Sequence, residues 1–195
     1  MPPGDTASRQ SILEAGRRTV AHKGWAATGL TEILSTAGAP KGSFYHYFAS
    51  KDAFGETIMR DYFIDYLADM DRIFAQQGRS SADLLMEYWL HWRETQTLED
   101  CQGKCLAVKL GAEVADLSEP MRLALKDGTT EIIERIERVI RAGTAEGSLS
   151  TDMDARAVAQ TLYDLWLGAS VMAKIHRDIA PVDNALAHTA RILHL

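Results

Sequence analysis

The sequence predicts an all-α protein, with a three-helix head holding a helix-turn-helix and a larger helical bundle after it. Three observations lead there. β-Branched residues are too sparse for a sheet and no alternating apolar–polar run persists. Apolar residues recur instead at spacings of three and four. Glycine, proline and serine stand where such segments start and stop. The chain has 195 residues, enough to bury a substantial core. Its 46% hydrophobic and 25% charged side chains exclude wholesale disorder and fibrous repeats. No run approaches the ~18 apolar residues of a membrane-spanning helix, and Met1–Gln10 lacks the apolar centre of a signal peptide. A cytoplasmic protein with no membrane partner is expected.

Each element has its own signal. Ile12, Ala15, Thr19 and Val20 share one face of a helix over Ser11–Lys23, which Gly24 stops. A short helix follows over about 29–37, with Thr28 placed to cap its free N–H groups. Gly38 and Ala39 form a turn, and Pro40 suits the first position of another short helix. Ser50 caps a long helix running from Lys51 to about Gln76. After a break at 78–81, residues 82–96 put Leu85, Tyr88, Trp89 and Trp92 on one side. A polar loop at 99–104 precedes an apolar helix over 106–115. Ser118-Glu119-Pro120 then starts a long helix ending at Gly147, with Ile132, Ile133, Ile136, Val139 and Ile140 as its apolar face. Helices over 155–176 and 182–193 complete the chain. The expected division is 1–50 as the head and 51–195 as the bundle.

A net charge of −6 argues against nucleic acid until the chain is divided. Residues 1–60 carry seven Lys/Arg and five acids, a balance of +2; residues 61–195 carry 14 and 22, a balance of −8. The first third and the remainder therefore call for different partners.

The stretch from Thr28 to Lys51 carries the most chemistry. Two short helices joined by a turn containing Gly38 make a helix-turn-helix, whose second helix enters the DNA major groove by its N-terminal part. Lys41 supplies a cation there, Gly42 allows close backbone approach, and Ser43 can donate or accept. Tyr45, His46 and Tyr47 bring hydroxyl and imidazole groups toward phosphates, and their rings can pack on thymine methyls. Phe44 and Phe48, four apart, share the inner face. Three consecutive residues cannot all face inward on a helix, so Tyr45, His46 and Tyr47 are not all core.

The run from Ala37 to Asp52, with Gly24, Thr28 and Ile33 upstream, resembles the recognition-helix signature of the TetR family of bacterial transcriptional repressors. The resemblance implies backbone contacts from Thr28, Lys41, Tyr45, His46, Tyr47 and Lys51, and approach to bases by Gly42, Ser43 and Tyr45. Pro40 departs from the serine found in many members, which removes one hydroxyl from the phosphates.

Cys101 and Cys105 are poorly placed for a structural disulfide in the cytoplasm. With no other cysteine and no nearby histidine partner they are also poorly placed for zinc, so no metal or other cofactor is expected. Cys105 stands at the start of a helix, where N–H groups and the dipole favour a thiolate, with Lys104 beside it and Lys109 four residues on. The alternative is a small buried residue without chemistry. Three segments, 103–122, Leu165 to Lys174 and 184–188, resemble the NemR-like branch of the family. That resemblance implies control of detoxifying reductases and sensing of electrophiles through the cysteine matched by Cys105. Cys101 has no evident counterpart, so a Cys101–Cys105 disulfide is a second route. Lys174 either snorkels to water or lies near Cys105 and stabilises its thiolate.

In TetR relatives the last two helices pair with those of a second subunit. Here Gly168, Ala169, Ser170 and Ala173 would permit close approach, while Ala185, Leu186, Ala190, Ile192 and Leu193 would add apolar surface. A homodimer reading a palindromic double-stranded operator is expected. Trp89, Trp92, Trp166, Met86, Met121 and Met172 would line an effector cavity or, by their helical spacing, form ordinary core. The expected function is a non-enzymatic repressor released by an electrophile or oxidant at Cys105, the long helix after Lys51 carrying the change to the heads. One alternative is a TetR repressor induced reversibly by an apolar molecule. Another, a thiol redox enzyme, lacks a Cys-x-x-Cys motif, a βαβ pattern and a nucleotide-binding glycine loop.

Overall fold

In the head, the first two helices end where a residue without a β-carbon turns the backbone. α1 (Pro3–Lys23) closes at Gly24, at φ +87, whose N–H donates to Val20 O. α2 (Leu30–Ala37) closes at Gly38, at φ +63, and the cap N–H groups return to Leu34 O and Ser35 O. α3 (Lys41–Tyr47) follows. The computed structural model describes residues 3–95 and 106–195, residues 3–7 as backbone only. Among the described residues there are nine helices and no strand.

The remaining helices are α4 (Lys51–Phe74), α5 (Ser81–Glu94), α6 (Leu106–Leu117), α7 (Glu119–Glu146), α8 (Ala155–His176) and α9 (Ala180–Ile192). Side chains cap several starts, that of α4 by the Ser50 the sequence predicts. Ser50 accepts from Ala53 N at 3.0 Å. Ser80 accepts from Asp83 N at 3.1 Å, and Asp154 from the N–H groups of Arg156 and Ala157. Three starts in the head differ from expectation. α1 begins well before Ser11, because polar residues that show no apolar face can still extend a helix already nucleated downstream. Thr28 does not cap α2: Gly29 holds that position with no side-chain bond. Pro40 occupies the cap of α3 rather than its first turn.

The described chain forms two compact units. The first comprises α1–α3, α4 as far as Phe63, α6, and α7 as far as Gly128; the second holds the rest. The unit that contains the head is therefore larger than the head. Its core joins Ile12, Leu13, Ala15 and Val20 of α1 to Ile33, Phe44, Phe54, Ile58, Leu110, Val114 and Met121. Gly55 makes room within it, since a Cβ there would lie 2.5 Å from Met121 Sδ and 2.6 Å from the Trp25 ring.

The second unit is built on aromatic packing. Trp89 of α5 and Trp166 of α8 stack with centroids 4.7 Å apart and planes at 17°. Two indole N–H groups are matched by short hydroxyl side chains: Trp92 Nε1 donates to Ser170 Oγ at 3.0 Å and Trp166 Nε1 to Thr189 Oγ1 at 2.9 Å. The isoleucine face of α7 (Ile132, Ile133, Ile136, Ile140) completes this core. Glu131, by contrast, lies exposed and pairs with Arg135.

Candidate nucleic-acid interface and sensor segment

The seven residues of α3 divide cleanly between inside and outside. Phe44 is fully buried, and Phe48, just past the helix, is nearly so; their rings lie 5.3 Å apart and both meet Phe54 of α4, at 5.3 and 4.8 Å. This aromatic trio fixes the roll of α3 about its axis. On the opposite side Lys41, Gly42, Tyr45 and His46 are exposed, Tyr45 by 62%, while Ser43 and Tyr47 are half-buried. A cation, a bare backbone and two aromatic polar groups thus share an outward face, the composition that phosphate and base contacts require.

Two other predicted contacts have local tasks in this structure. Thr28 is 1% exposed and its hydroxyl donates to Gly24 O at 2.6 Å, closing the α1–α2 corner. Lys51, half-buried, donates to Trp25 O at 3.3 Å, its ammonium 4.6 Å over the Trp25 ring. Both residues shape the corner on which α2 and α3 are mounted.

That corner has two further partners, both on α6, which sequence reasoning missed. The Lys109 ammonium donates to the carbonyls of Ala21 and His22, at the end of α1. One turn along, the Glu113 carboxylate accepts from Trp25 N at 3.1 Å and from Ala26 N at 2.6 Å. Helix ends leave such carbonyls and N–H groups unmatched. The sequence signal, Lys and Glu four apart, reads equally well as an ordinary pair within one helix. Lys109, expected to lend positive charge to Cys105, is thus seen here bonded at the end of α1.

Cys101 and Cys105 lie outside the described residues, as do Gly103 and Lys104. α6 begins at Leu106, the next residue in the chain. Lys174 is half-buried in the last turn of α8. The tryptophans expected either to line a cavity or to form core are core, whereas Met172 is exposed and Met121 is buried in the first unit. A groove of about 390 Å³ in the second unit is lined instead by residues including Asp71, Phe74, Leu84, Arg135 and Val139.

The small residues of α8 are also used differently from expectation. Ala169, Ser170 and Ala173 face inward, Ser170 receiving the Trp92 N–H, because the bulky indoles need short neighbours. Gly168, Val171, Met172 and Ile175 are exposed and, with half-buried Leu165, form a stripe at three- and four-residue spacing. On α9 Ala185 is buried, as is Leu193 just beyond it, leaving Leu186, Ala190 and Ile192 partly open. No described helix is long and apolar enough to cross a membrane.

Comparison with known proteins agrees with this arrangement. Residues 12–56 match the bacterial regulatory proteins of the tetR family, and residues 83–189 match the tetracyclin repressor-like C-terminal domain. The chain is 37% identical over 191 residues to the HTH-type transcriptional repressor NemR of Escherichia coli (strain K12), covering 95% of this chain and 94% of that protein. It is 31% identical over 173 residues to the transcriptional regulator AcuR of Cereibacter sphaeroides, covering 89% and 79%. A crystal structure of the reduced form of E. coli NemR superposes with a TM-score of 0.86 at 38% identity, covering 95% of this chain and 97% of that one. Matched at both ends and by a relative above 30% identity along nearly its whole length, the chain belongs to the TetR family of bacterial transcriptional regulators.

Proposed function

We propose that this TetR-family repressor acts in the cytoplasm as a homodimer on a palindromic operator and is released when an electrophile or oxidant modifies Cys105. Residues 1–50 read DNA, and residues 51–195 sense and dimerise. The observation that carries the DNA-reading half is the division of α3: Phe44 and Phe48 are sunk against Phe54, and Lys41, Gly42, Tyr45 and His46 are turned outward. Ser43 and Tyr47 flank that face, and Thr28 and Lys51 hold the corner behind it. The exposed stripe of α8 is the surface a second copy of the chain would cover.

The sensing half is supported by the likeness to a repressor named NemR and structurally described in its reduced form. Chemistry supports it too. A thiolate attacks an alkylating carbon and the leaving group departs with the electron pair; a peroxide converts the thiolate to a sulfenic acid, and condensation with the Cys101 thiol would then give a disulfide with loss of water. A few kcal/mol of preference between two states changes operator occupancy by orders of magnitude. The test uses the full-length protein and a duplex it selects from a randomised pool. Iodoacetamide or hydrogen peroxide should release the wild type, while Cys105→Ser should bind equally well and resist release. Full release of Cys105→Ser would end the covalent reading and favour a reversibly bound apolar inducer.

A further inference from the structure

We propose that Lys109 and Glu113 are positioning residues for DNA recognition, locking the α1–α2 corner to α6 and so setting the angle at which α3 is presented. The inference rests on the DNA-reading function given above. Its basis is the opposite polarity of the two contacts. The end of α1 offers carbonyls, and Lys109 meets those of Ala21 and His22 with an ammonium. The turn just beyond offers N–H groups, and Glu113 meets those of Trp25 and Ala26 with both carboxylate oxygens. Each bond joins an ionised side chain to a backbone group, the stronger class of hydrogen bond.

Polarity also makes the lock specific in register. Sliding α6 by one turn would set the carboxylate against carbonyls or the ammonium against N–H groups, so intermediate positions are penalised from both sides. Gly24 is part of the device. It takes φ +87, and a Cβ there would stand 2.9 Å from Glu113 Oε2, so a side chain would strain the turn and push the carboxylate from its seat. Trp25 ties the corner onward: its carbonyl and ring hold Lys51 at the start of α4, and its ring lies against Gly55. The corner is thus gripped by α6 and α4 together. α6 begins one residue after Cys105 in the sequence, so a displacement of that helix is delivered to α1 and α2 through these bonds as well as through α4.

The experiment compares the spacing of operator half-sites selected by full-length wild type, Lys109→Met, Glu113→Leu and the milder Glu113→Gln. One added base pair turns the second half-site by about 35°, so a head held at a fixed angle discriminates spacing and a loosened head does not. Wild type should lose about tenfold in affinity per base pair of altered spacing, and Lys109→Met and Glu113→Leu about threefold or less, with the half-site sequence unchanged. Glu113→Gln should fall between, and Lys109→Arg, which keeps the cation, should match wild type. In Glu113→Leu the Trp25 and Ala26 amides should exchange about tenfold faster, as expected for losing a charged hydrogen bond. Unchanged spacing discrimination in the variants overturns the inference, as does uniform weakening on every duplex, the mark of lost stability alone. Wild type that enriches no duplex overturns the DNA-reading function and this inference with it.

Discussion

The Lys51 ammonium lies 4.6 Å over the Trp25 ring and donates to the Trp25 carbonyl at 3.3 Å, so the first residue of α4 holds the corner that follows α1. A half-buried cation engaged this way contributes through packing as well as charge. Lys51→Met should lower the stability of the protein by about 1 kcal/mol, read from denaturant midpoints. Norleucine-like packing by methionine keeps the loss small; no change in midpoint would show the contact to be energetically idle.

Lys41 has the complementary role. Its ammonium is exposed on the outward side of α3, and each phosphate contact changes the slope of log affinity against log salt by about −0.9. Lys41→Met should therefore reduce the magnitude of that slope by about 2 per dimer and leave the unfolding midpoint where it is. Binding titrations at several salt concentrations provide the measurement.

Phe44 and Tyr45 are neighbours with opposite fates, one fully buried and one 62% exposed. Phe44→Ala removes the centre of the aromatic trio and should cost about 3–5 kcal/mol of stability. Tyr45→Ala should cost less than about 0.5 kcal/mol while weakening operator binding at least tenfold. Thermal melts and gel shifts on the same preparations separate the two effects.

Dimerisation through the exposed stripe of α8 is tested at Ile175, whose side chain meets solvent in the single chain. A charge buried at an interface without a partner is costly. Ile175→Glu should shift the protein toward monomer in sedimentation experiments without lowering its helix content. A variant that remains fully dimeric would place the interface elsewhere.

Glu146 predicts an acid-sensitive tie in the second unit. Its carboxylate accepts from Ser148 Oγ at 2.7 Å and from Ser81 N at 2.6 Å. These bonds, the Ser148 one foremost, hold its pKa below the ordinary 4.5. A carboxylate with a lowered folded-state pKa stabilises the fold above its unfolded value and loses that contribution as pH falls through the folded one. For this group's part, the unfolding midpoint should hold down to about pH 5 and fall as pH drops below 4.5, and Glu146→Gln should flatten that decline.

Much of the head was legible in the sequence because its determinants are local. Gly24 and Gly38 end helices by their own backbone freedom, Ser50 caps α4 three residues away, and the spacing of Phe44 and Phe48 assigns the inner face of α3. Periodicity places α8 over 155–176, and the structure bounds it at Ala155 and His176. Where a residue had more than one partner available, local rules failed. Thr28 had the chemistry of a cap, yet its hydroxyl turned back to Gly24 O, four residues earlier.

The sequence by itself determined the helices, their order and the outward chemistry of α3, since those follow from periodicity, caps and side-chain type. Only the tertiary structure decided which helix would satisfy the unmatched backbone groups at the end of α1. Lys109 and Glu113 reach that corner across 88 residues of chain. It also decided that Ala169, Ser170 and Ala173 would serve the tryptophan core, leaving Gly168, Val171 and Ile175 outside. Hydrogen-bond polarity and volume matching are relations between elements, and no single helix carries them.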